Sequence, residues 1–163
     1  MNTLPSLRIL SPLHKANRQI QLFMEARYRE LGVSIVEARL LEHCLQFSPC
    51  WISELHRVLG EKSSTLTSIL DRLEQAGLLS RKLNRQDRRS RLVFLSPEGK
   101  RLALKLRGFH EEFEATLLQH LQESDLVKFE RVIEAILEVT NTEVHNPKQS
   151  QTSVKPGRRL RAG

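Results

Sequence analysis

The side chains best suited to hydrogen bonding with a ligand are concentrated in two short stretches of the chain. The first is rich in small hydroxyl residues: Ser63, Ser64, Thr65, Thr67 and Ser68. The second, residues 81–91, holds one acid, Asp87, and six basic residues: Arg81, Lys82, Arg85, Arg88, Arg89 and Arg91. Hydroxyl groups donate and accept hydrogen bonds, and arginine binds anionic oxygens in pairs. Both stretches therefore suit a polyanion that carries phosphates and polar base edges.

The distribution of charge supports this interpretation of the second stretch. The chain has 26 basic and 19 acidic residues in its 163 positions, a net charge of +7. Residues 146–163 carry five basic residues and no acid, so the rest of the chain has a net charge of only +2. A charge run is often no more than a solvated face, but this one lies beside a predicted turn. We therefore interpret residues 81–91 as an anion-binding segment.

Start and stop signals predict the helices that position the hydroxyl stretch. Serine followed by proline starts a helix, a Ser/Glu capping box starts another, and glycines end them. Ser11-Pro12, the box formed by Ser34 and Glu37, and Gly60 and Gly77 are such signals. The predicted helices are 11–31, 34–47, 52–59 and one that Ser63 or Ser64 caps and Gly77 ends. In the last of these, apolar residues at helical spacing lie on one face, the pattern of an amphipathic helix: Leu66, Ile69, Leu70, Leu73 and Ala76.

The residue pattern then changes from helical to extended. Residues 78–82 and 91–95 are predicted strands, and the basic loop 83–90 between them makes a β-hairpin with a long tip. Ser96-Pro97 starts a helix to about residue 120, and Ser124 caps a last helix. The first of these two helices carries a heptad-like apolar seam: Leu102, Leu106, Phe109, Phe113 and Leu117. Such a seam is either core within one chain or a dimer contact, and its length favours the dimer contact.

Helix, glycine-containing turn, helix and basic hairpin together indicate a protein that reads duplex DNA. A single helix fits the major groove, where base edges are distinguishable, and the second helix of the pair enters it. An arginine at the tip of the hairpin can reach the adjacent minor groove, where the negative potential favours it.

Residues 64–81 and 87–99 resemble the recognition helix and the wing of the MarR family. The second run contains Asp87-Arg88-Arg89, a hydrophobic strand and a Ser-x-x-Gly helix start, and the resemblance extends over about residues 10–142. It implies a mainly α fold with a small β-hairpin wing (α+β). In this fold a winged helix-turn-helix lobe at about residues 34–96 is flanked by dimerisation helices at about 11–31 and 97–141. Residues 145–163 have no apolar periodicity and are predicted to form a basic disordered tail.

The resemblance also implies which residues contact DNA. It places the recognition helix on the hydroxyl stretch, Arg72 against the DNA backbone, and Arg89 in the minor groove, oriented by Asp87. The predicted DNA-binding residues are Ser63, Ser64, Thr65, Thr67, Ser68, Arg72, Arg81, Asp87, Arg88, Arg89 and Ser90. The chain departs from many family members at Ser68, where they carry arginine, which removes one bidentate contact to guanine.

The family resemblance implies a homodimeric transcriptional regulator, a repressor that a small phenolic or anionic effector releases from its double-stranded operator. Arg27, Tyr28 and His43 are the polar or aromatic groups nearest the effector region along the chain. Two alternatives stay open: a winged helix that binds protein instead of DNA, and a redox switch built on Cys44 and Cys50. Six basic residues on the wing favour DNA over a protein partner.

The remaining composition argues against several other classes of protein. Two cysteines make no disulfide framework and fit a reducing compartment, so Cys44 and Cys50 are predicted to be buried structural thiols. The histidines show no metal-ligand spacing, and there is no phosphate-binding glycine loop or nucleophile motif. No apolar run approaches a membrane span, and the first ten residues do not resemble a signal peptide. We therefore expect a cytoplasmic protein that is not an enzyme and needs no metal or cofactor.

Overall fold

The computed structural model describes residues 7–83 and 91–140, and the elements below lie within these ranges. In chain order they are α1 (Leu10–Glu30), α2 (Ile35–Phe47), β1 (Cys50–Trp51), α3 (Ile52–Leu59), α4 (Ser63–Gln75), β2 (Leu79–Leu83), β3 (Arg91–Leu95), α5 (Pro97–Leu118) and α6 (Glu123–Thr140). The chain forms two compact units, one that extends to His120 and a second from Leu121 onwards that contains α6. The predicted mainly α fold with a small β wing is confirmed.

Local sequence signals account for most helix ends. The capping box is present at α2, where the Glu37 carboxylate accepts from the Ser34 N–H at 2.7 Å and the Ser34 hydroxyl accepts from the Glu37 N–H at 3.3 Å. At α5 the Ser96 hydroxyl accepts from the Gly99 N–H at 2.9 Å. Gly60 ends α3 with a positive φ of 68°, a conformation that glycine adopts without a steric penalty.

Three predicted caps were wrong by one or two residues. Helix α1 begins at Leu10, so Ser11 lies inside it. The N-cap of α4 is Lys62, which makes no side-chain capping bond, and the predicted caps Ser63 and Ser64 are its first two helical residues. Helix α6 begins at Glu123, one residue before the predicted cap Ser124. A serine competes well for a cap but also fits a first helical turn, so the residue type alone does not fix the register.

The sheet has three antiparallel strands in the order β1-β3-β2. Strands β2 and β3 form the predicted hairpin, which pairs Leu79 with Leu95 and Leu83 with Arg91. Sequence reasoning missed β1, which pairs Cys50 with Val93. A two-residue strand has no detectable alternation, and only the neighbouring β3 reveals it.

The core lies between the five helices α1 to α5 and the sheet, and it includes part of the predicted dimer seam. Leu106 is fully buried, and Leu102, Phe109 and Phe113 pack against the core of the same chain. Leu117 is 45% exposed, and Leu102, Phe109 and Phe113 are only partly buried. The expected dimer contact was therefore wrong for Leu106, which lies in the core of its own chain, and it stays a prediction for the other four positions.

Candidate nucleic-acid interface

Helix α4 has one face that is buried in the core and an opposite face that is polar and exposed. Leu66, Ile69, Leu70 and Leu73 are buried in the core. The hydroxyl residues of the predicted interface are all exposed: Ser63, Ser64, Thr65, Thr67 and Ser68. The helical period puts leucine and isoleucine inward and the small polar residues outward, so another molecule can approach the α4 backbone closely.

Two of these hydroxyls already use their protons within the helix. Thr67 Oγ1 donates to the Ser63 carbonyl at 2.9 Å, and Ser68 Oγ donates to the Ser64 carbonyl at 3.0 Å. Their outward lone pairs can accept from the exocyclic amino groups of adenine or cytosine without breaking these bonds. Donation to a base acceptor would first require the hydroxyl to rotate away from the helix.

The first turn of α4 favours an anion. It contains no acidic residue, and within the part of the chain that the structure describes the N-cap residue Lys62 makes no side-chain capping bond. Unpaired N–H groups and the positive end of the helix dipole attract phosphate. The exposed serines of this turn leave room for a phosphate oxygen.

Arg72, the predicted backbone contact, lies near the other end of the same exposed face. Its Nε donates to Glu37 Oε1 at 2.6 Å, while its side chain is 62% exposed. The carboxylate of Glu37 is 6% exposed and also holds the start of α2. Helix α4 is thus connected to α2 by an ion pair between a buried acid, Glu37, and an exposed base, Arg72.

Arg81 differs from the other predicted contacts because its side chain is only 16% exposed. Its guanidinium binds Glu74 at 2.5 Å and Asp71 at 2.6 Å, and its backbone N–H donates to Glu74 at 2.8 Å. The side-chain hydrogen bonds between Arg81 and Glu74 are the largest influence on the pKa of either group. They lower the pKa of Glu74 and raise that of Arg81. These bonds tie β2 to α4 and fix the base of the wing.

The wing tip carries the rest of the predicted contacts. Asp87, Arg88, Arg89 and Ser90 lie outside the described residues, so their roles stay predictions. The strands that support the tip are described: the pairing of Leu83 with Arg91 brings its two ends together. Lys82, beside it, places its ammonium 5.3 Å from the centre of the Phe94 ring.

Away from α4, a chain of hydrogen bonds joins α1, α5 and α2. The Tyr28 hydroxyl and His110 Nε2 are 2.7 Å apart, and His110 Nδ1 lies 2.8 Å from Glu42 Oε1. A carboxylate only accepts, so Nδ1 carries a proton and Nε2 of the neutral ring accepts from Tyr28. The hydrogen bond to Glu42 raises the pKa of His110, against the opposing effects of burial and Arg107. Burial, with a smaller contribution from the charge of Glu42, raises the pKa of Tyr28.

We expect these hydrogen bonds between Tyr28, His110 and Glu42 to make the free energy of unfolding depend on pH. The pKa of His110 is higher in the folded than in the unfolded protein, so protonation of His110 stabilises the fold. This stabilisation is complete below the unfolded pKa of about 6.5 and is lost as the pH rises through the folded-state pKa. Urea unfolding of the wild type and His110→Gln should differ most at acidic pH and least at alkaline pH. His14→Gln, a change at an exposed histidine of α1, is the control. A difference that stays constant with pH would contradict the expectation.

The other groups placed near an effector region have separate environments. The guanidinium of Arg27 binds Glu112 at 2.9 Å and lies 5.3 Å from the centres of the Phe23 and Phe109 rings. His43 is buried, 3.3 Å from Glu54, and packs on Phe47. Tyr28 lines a cleft of about 530 Å³ between α1 and α2, to which His110 of α5 also contributes. His43 lines another of about 660 Å³ that α2, α3 and α5 form. The structure therefore does not bring Arg27, Tyr28 and His43 into one pocket.

Cys44 and Cys50 are both fully buried, as predicted for structural thiols. The hydrogen bond with Cys50, followed by burial, raises the pKa of Cys44, which disfavours the reactive thiolate. Over residues 7–83 and 91–140 no three histidine, cysteine or carboxylate side chains are grouped to hold a metal ion. No helix within those ranges has both the length and the apolar character needed to cross a membrane.

Comparison with known proteins agrees with this geometry. The MarR family model matches residues 33–90, from the end of α1 to the start of β3. An uncharacterised HTH-type transcriptional regulator of Bacillus subtilis (strain 168), YfiV, is 27% identical over 97 residues, which are 60% of this chain and 59% of that protein. The match thus spans about three fifths of the length of that relative.

Solved structures show the same fold. The MepR–DNA complex of Staphylococcus aureus superposes with a TM-score of 0.72 at 15% identity, covering 83% of this chain and 99% of that one. FabT of Streptococcus pneumoniae in complex with DNA gives a TM-score of 0.74 at 19% identity, covering 82% and 96%. At such identities the likeness extends to the fold alone.

Proposed function

We propose, from the MarR-family segment that this chain carries at residues 33–90, that the protein is a sequence-specific, double-stranded-DNA-binding transcriptional regulator. The observation that carries the proposal is the exposed hydroxyl face of α4, anchored by buried leucines and followed directly by a paired hairpin. A helix with short polar side chains can lie in a major groove, and the hairpin extends toward the neighbouring groove. MepR and FabT, which share the fold, are described as DNA complexes.

Selection of genomic DNA fragments by the purified protein tests the proposal. The enriched fragments should share a short inverted motif, and binding should be much tighter than to scrambled DNA of the same composition. Equal affinity for all fragments would argue that the protein binds DNA without reading its sequence, and would contradict the proposal.

The proposed regulator is a homodimer. Large apolar side chains are exposed on α1, at the end of α5 and on α6: Ile20, Leu22, Phe23, Leu117, Leu118, Val127, Phe129, Leu137 and Val139. Exposed apolar groups of this number, taken for each of the two units by itself, are typical of surfaces that another chain covers. Two copies would present two α4 helices to the two halves of an inverted operator. Sedimentation of the protein as a monomer at micromolar concentration would contradict this assembly.

The proposed role is that of a repressor released by a small phenolic or anionic effector. The cleft of about 530 Å³ between α1 and α2 has the volume of a small-molecule site, and Arg18, Tyr28 and Arg39 line it. The two guanidinium groups outnumber the one carboxylate of the lining, that of Glu25, and would attract an anion, and Met24 and Ile35 would contact an aromatic ring. An effector here would change the separation of the two recognition helices, and a change of a few Å breaks their simultaneous contact with DNA.

Arg89→Ala should weaken binding to the selected DNA about tenfold. The proposed wing-tip arginine neutralises phosphate charge near the minor groove, so its loss should also reduce the slope of log affinity against log salt by about 1. Arg29→Ala, which removes an exposed arginine from α1, is the matched control. Fluorescence anisotropy over a series of salt concentrations measures both quantities. An unchanged slope would remove Arg89 from the contacts.

A further inference from the structure

We propose that Glu37 is a positioning residue for DNA binding, whose buried carboxylate holds the Arg72 guanidinium in the orientation that contacts a DNA phosphate. The proposal rests on the proposed function and assigns a role to a residue that lies on α2, outside the recognition helix. It concerns the orientation of Arg72 and requires no contact between Glu37 and DNA.

The Glu37 carboxylate is itself held rigidly. One oxygen, Oε2, accepts from the backbone N–H and from the hydroxyl of Ser34, both at 2.7 Å. The other oxygen, Oε1, accepts from Arg72 Nε at 2.6 Å. Burial acts to raise the pKa of Glu37, but the hydrogen bonds from Ser34 and Arg72 lower it overall, so the group stays ionised. A carboxylate fixed at both oxygens is a firm anchor for the arginine.

Arg72 is placed to reach DNA from this anchor. It follows Ser64 and Ser68 at intervals of four residues, so the three lie along one exposed face of α4, over about 12 Å at 1.5 Å per residue. Glu37 engages Nε, and over the described residues the two terminal nitrogens have no other hydrogen bond or ion pair. The guanidinium is planar, so fixing Nε also fixes the direction of the N–H groups that remain for a phosphate.

Two opposite effects of Glu37 on DNA binding have to be compared. Its negative charge opposes a nearby phosphate, whereas its hydrogen bond removes the entropy cost of ordering a long side chain on binding. Ordering such a side chain weakens binding by a factor of about 2 to 12. The carboxylate is 6% exposed and already paired with Ser34 and Arg72, so we expect the ordering effect to be the larger.

The experiment is a double-mutant cycle on the selected DNA, with Glu37→Gln, Arg72→Gln and the double variant. Glutamine is also accepted at this position of a capping box, so α2 should keep its cap. We expect Glu37→Gln to weaken binding about fivefold with an unchanged salt slope, and to have no effect in the Arg72→Gln background. Arg72→Gln should reduce the salt slope by about 1. Glu111→Gln, which releases the exposed Arg107 on α5, is the control for loss of an acid.

Several results would overturn the proposal. Tighter binding by Glu37→Gln would mean that charge repulsion dominates, and an equal loss in both Arg72 backgrounds would mean that Glu37 acts only through the fold.

If Glu37→Gln does not fold, Arg72→Lys replaces it, since lysine keeps the charge and lacks the planar group. Arg72→Lys should then weaken binding with an unchanged salt slope, and wild-type affinity would overturn the proposal. Failure of the wild type to bind any DNA would instead overturn the proposed function, and this proposal with it.

Discussion

Gly99→Ala is expected to destabilise the folded protein by about 3 kcal/mol. A Cβ atom at Gly99 would lie 1.9 Å from the Leu78 carbonyl oxygen and 2.9 Å from its carbonyl carbon, so backbone has to move. That carbonyl accepts from the Ser96 N–H at 3.0 Å, and the Ser96 hydroxyl caps the same turn of α5. The first turn of α5 therefore packs directly on the chain that enters β2, and a methyl group would separate them.

Gly108→Ala is the matched control, since it makes the same change later in the same helix. A Cβ there meets nothing within 4 Å. Alanine is a better helix former than glycine by up to about 1 kcal/mol, so this variant should be slightly more stable than the wild type. Urea unfolding at one protein concentration compares the two. Equal stabilities would show that the chain relaxes around Gly99 and that the close approach has no structural role.

The sequence predicted best those parts of the fold that neighbouring residues determine. The capping box of Ser34 with Glu37 and the Ser96-Pro97 start were correct because partners three residues apart form them. The faces of α4 followed from its leucine spacing. By contrast, β1 and the burial of Leu106 depend on elements far away in the chain, and no local pattern reports them.

The candidate site divides in the same way. Periodicity predicts that the hydroxyls of α4 face outward, but it cannot show that Glu37 reaches Arg72 across 35 residues. Nor does a count of basic residues show that Arg81 binds Asp71 and Glu74 within its own chain. A count of charges in a sequence includes arginines that pair within the protein as well as arginines that are free to bind a ligand. Only the packed structure distinguishes these two kinds of arginine.

Ser68→Glu is expected to weaken specific DNA binding at least about 100-fold, which corresponds to about 2.7 kcal/mol. Ser68 is exposed at the middle of the α4 face, and glutamate is a good helix former, so the fold should tolerate it. The longer side chain would hold the helix away from the base edges, and its charge would face the phosphates. The Ser68 hydroxyl also gives up its bond to the Ser64 carbonyl, a minor loss at an exposed position.

The control for this change is Lys105→Gln, which lowers the net charge by the same amount at an exposed position of α5. A general electrostatic effect would weaken both variants alike, whereas contact through α4 predicts a much larger loss for Ser68→Glu. Anisotropy titrations with the selected DNA, together with thermal unfolding of each variant, separate these outcomes. If Ser68→Glu binds as well as Lys105→Gln, α4 does not enter the groove through this face. The hydroxyls of α4 would then lie beside the DNA without reading it.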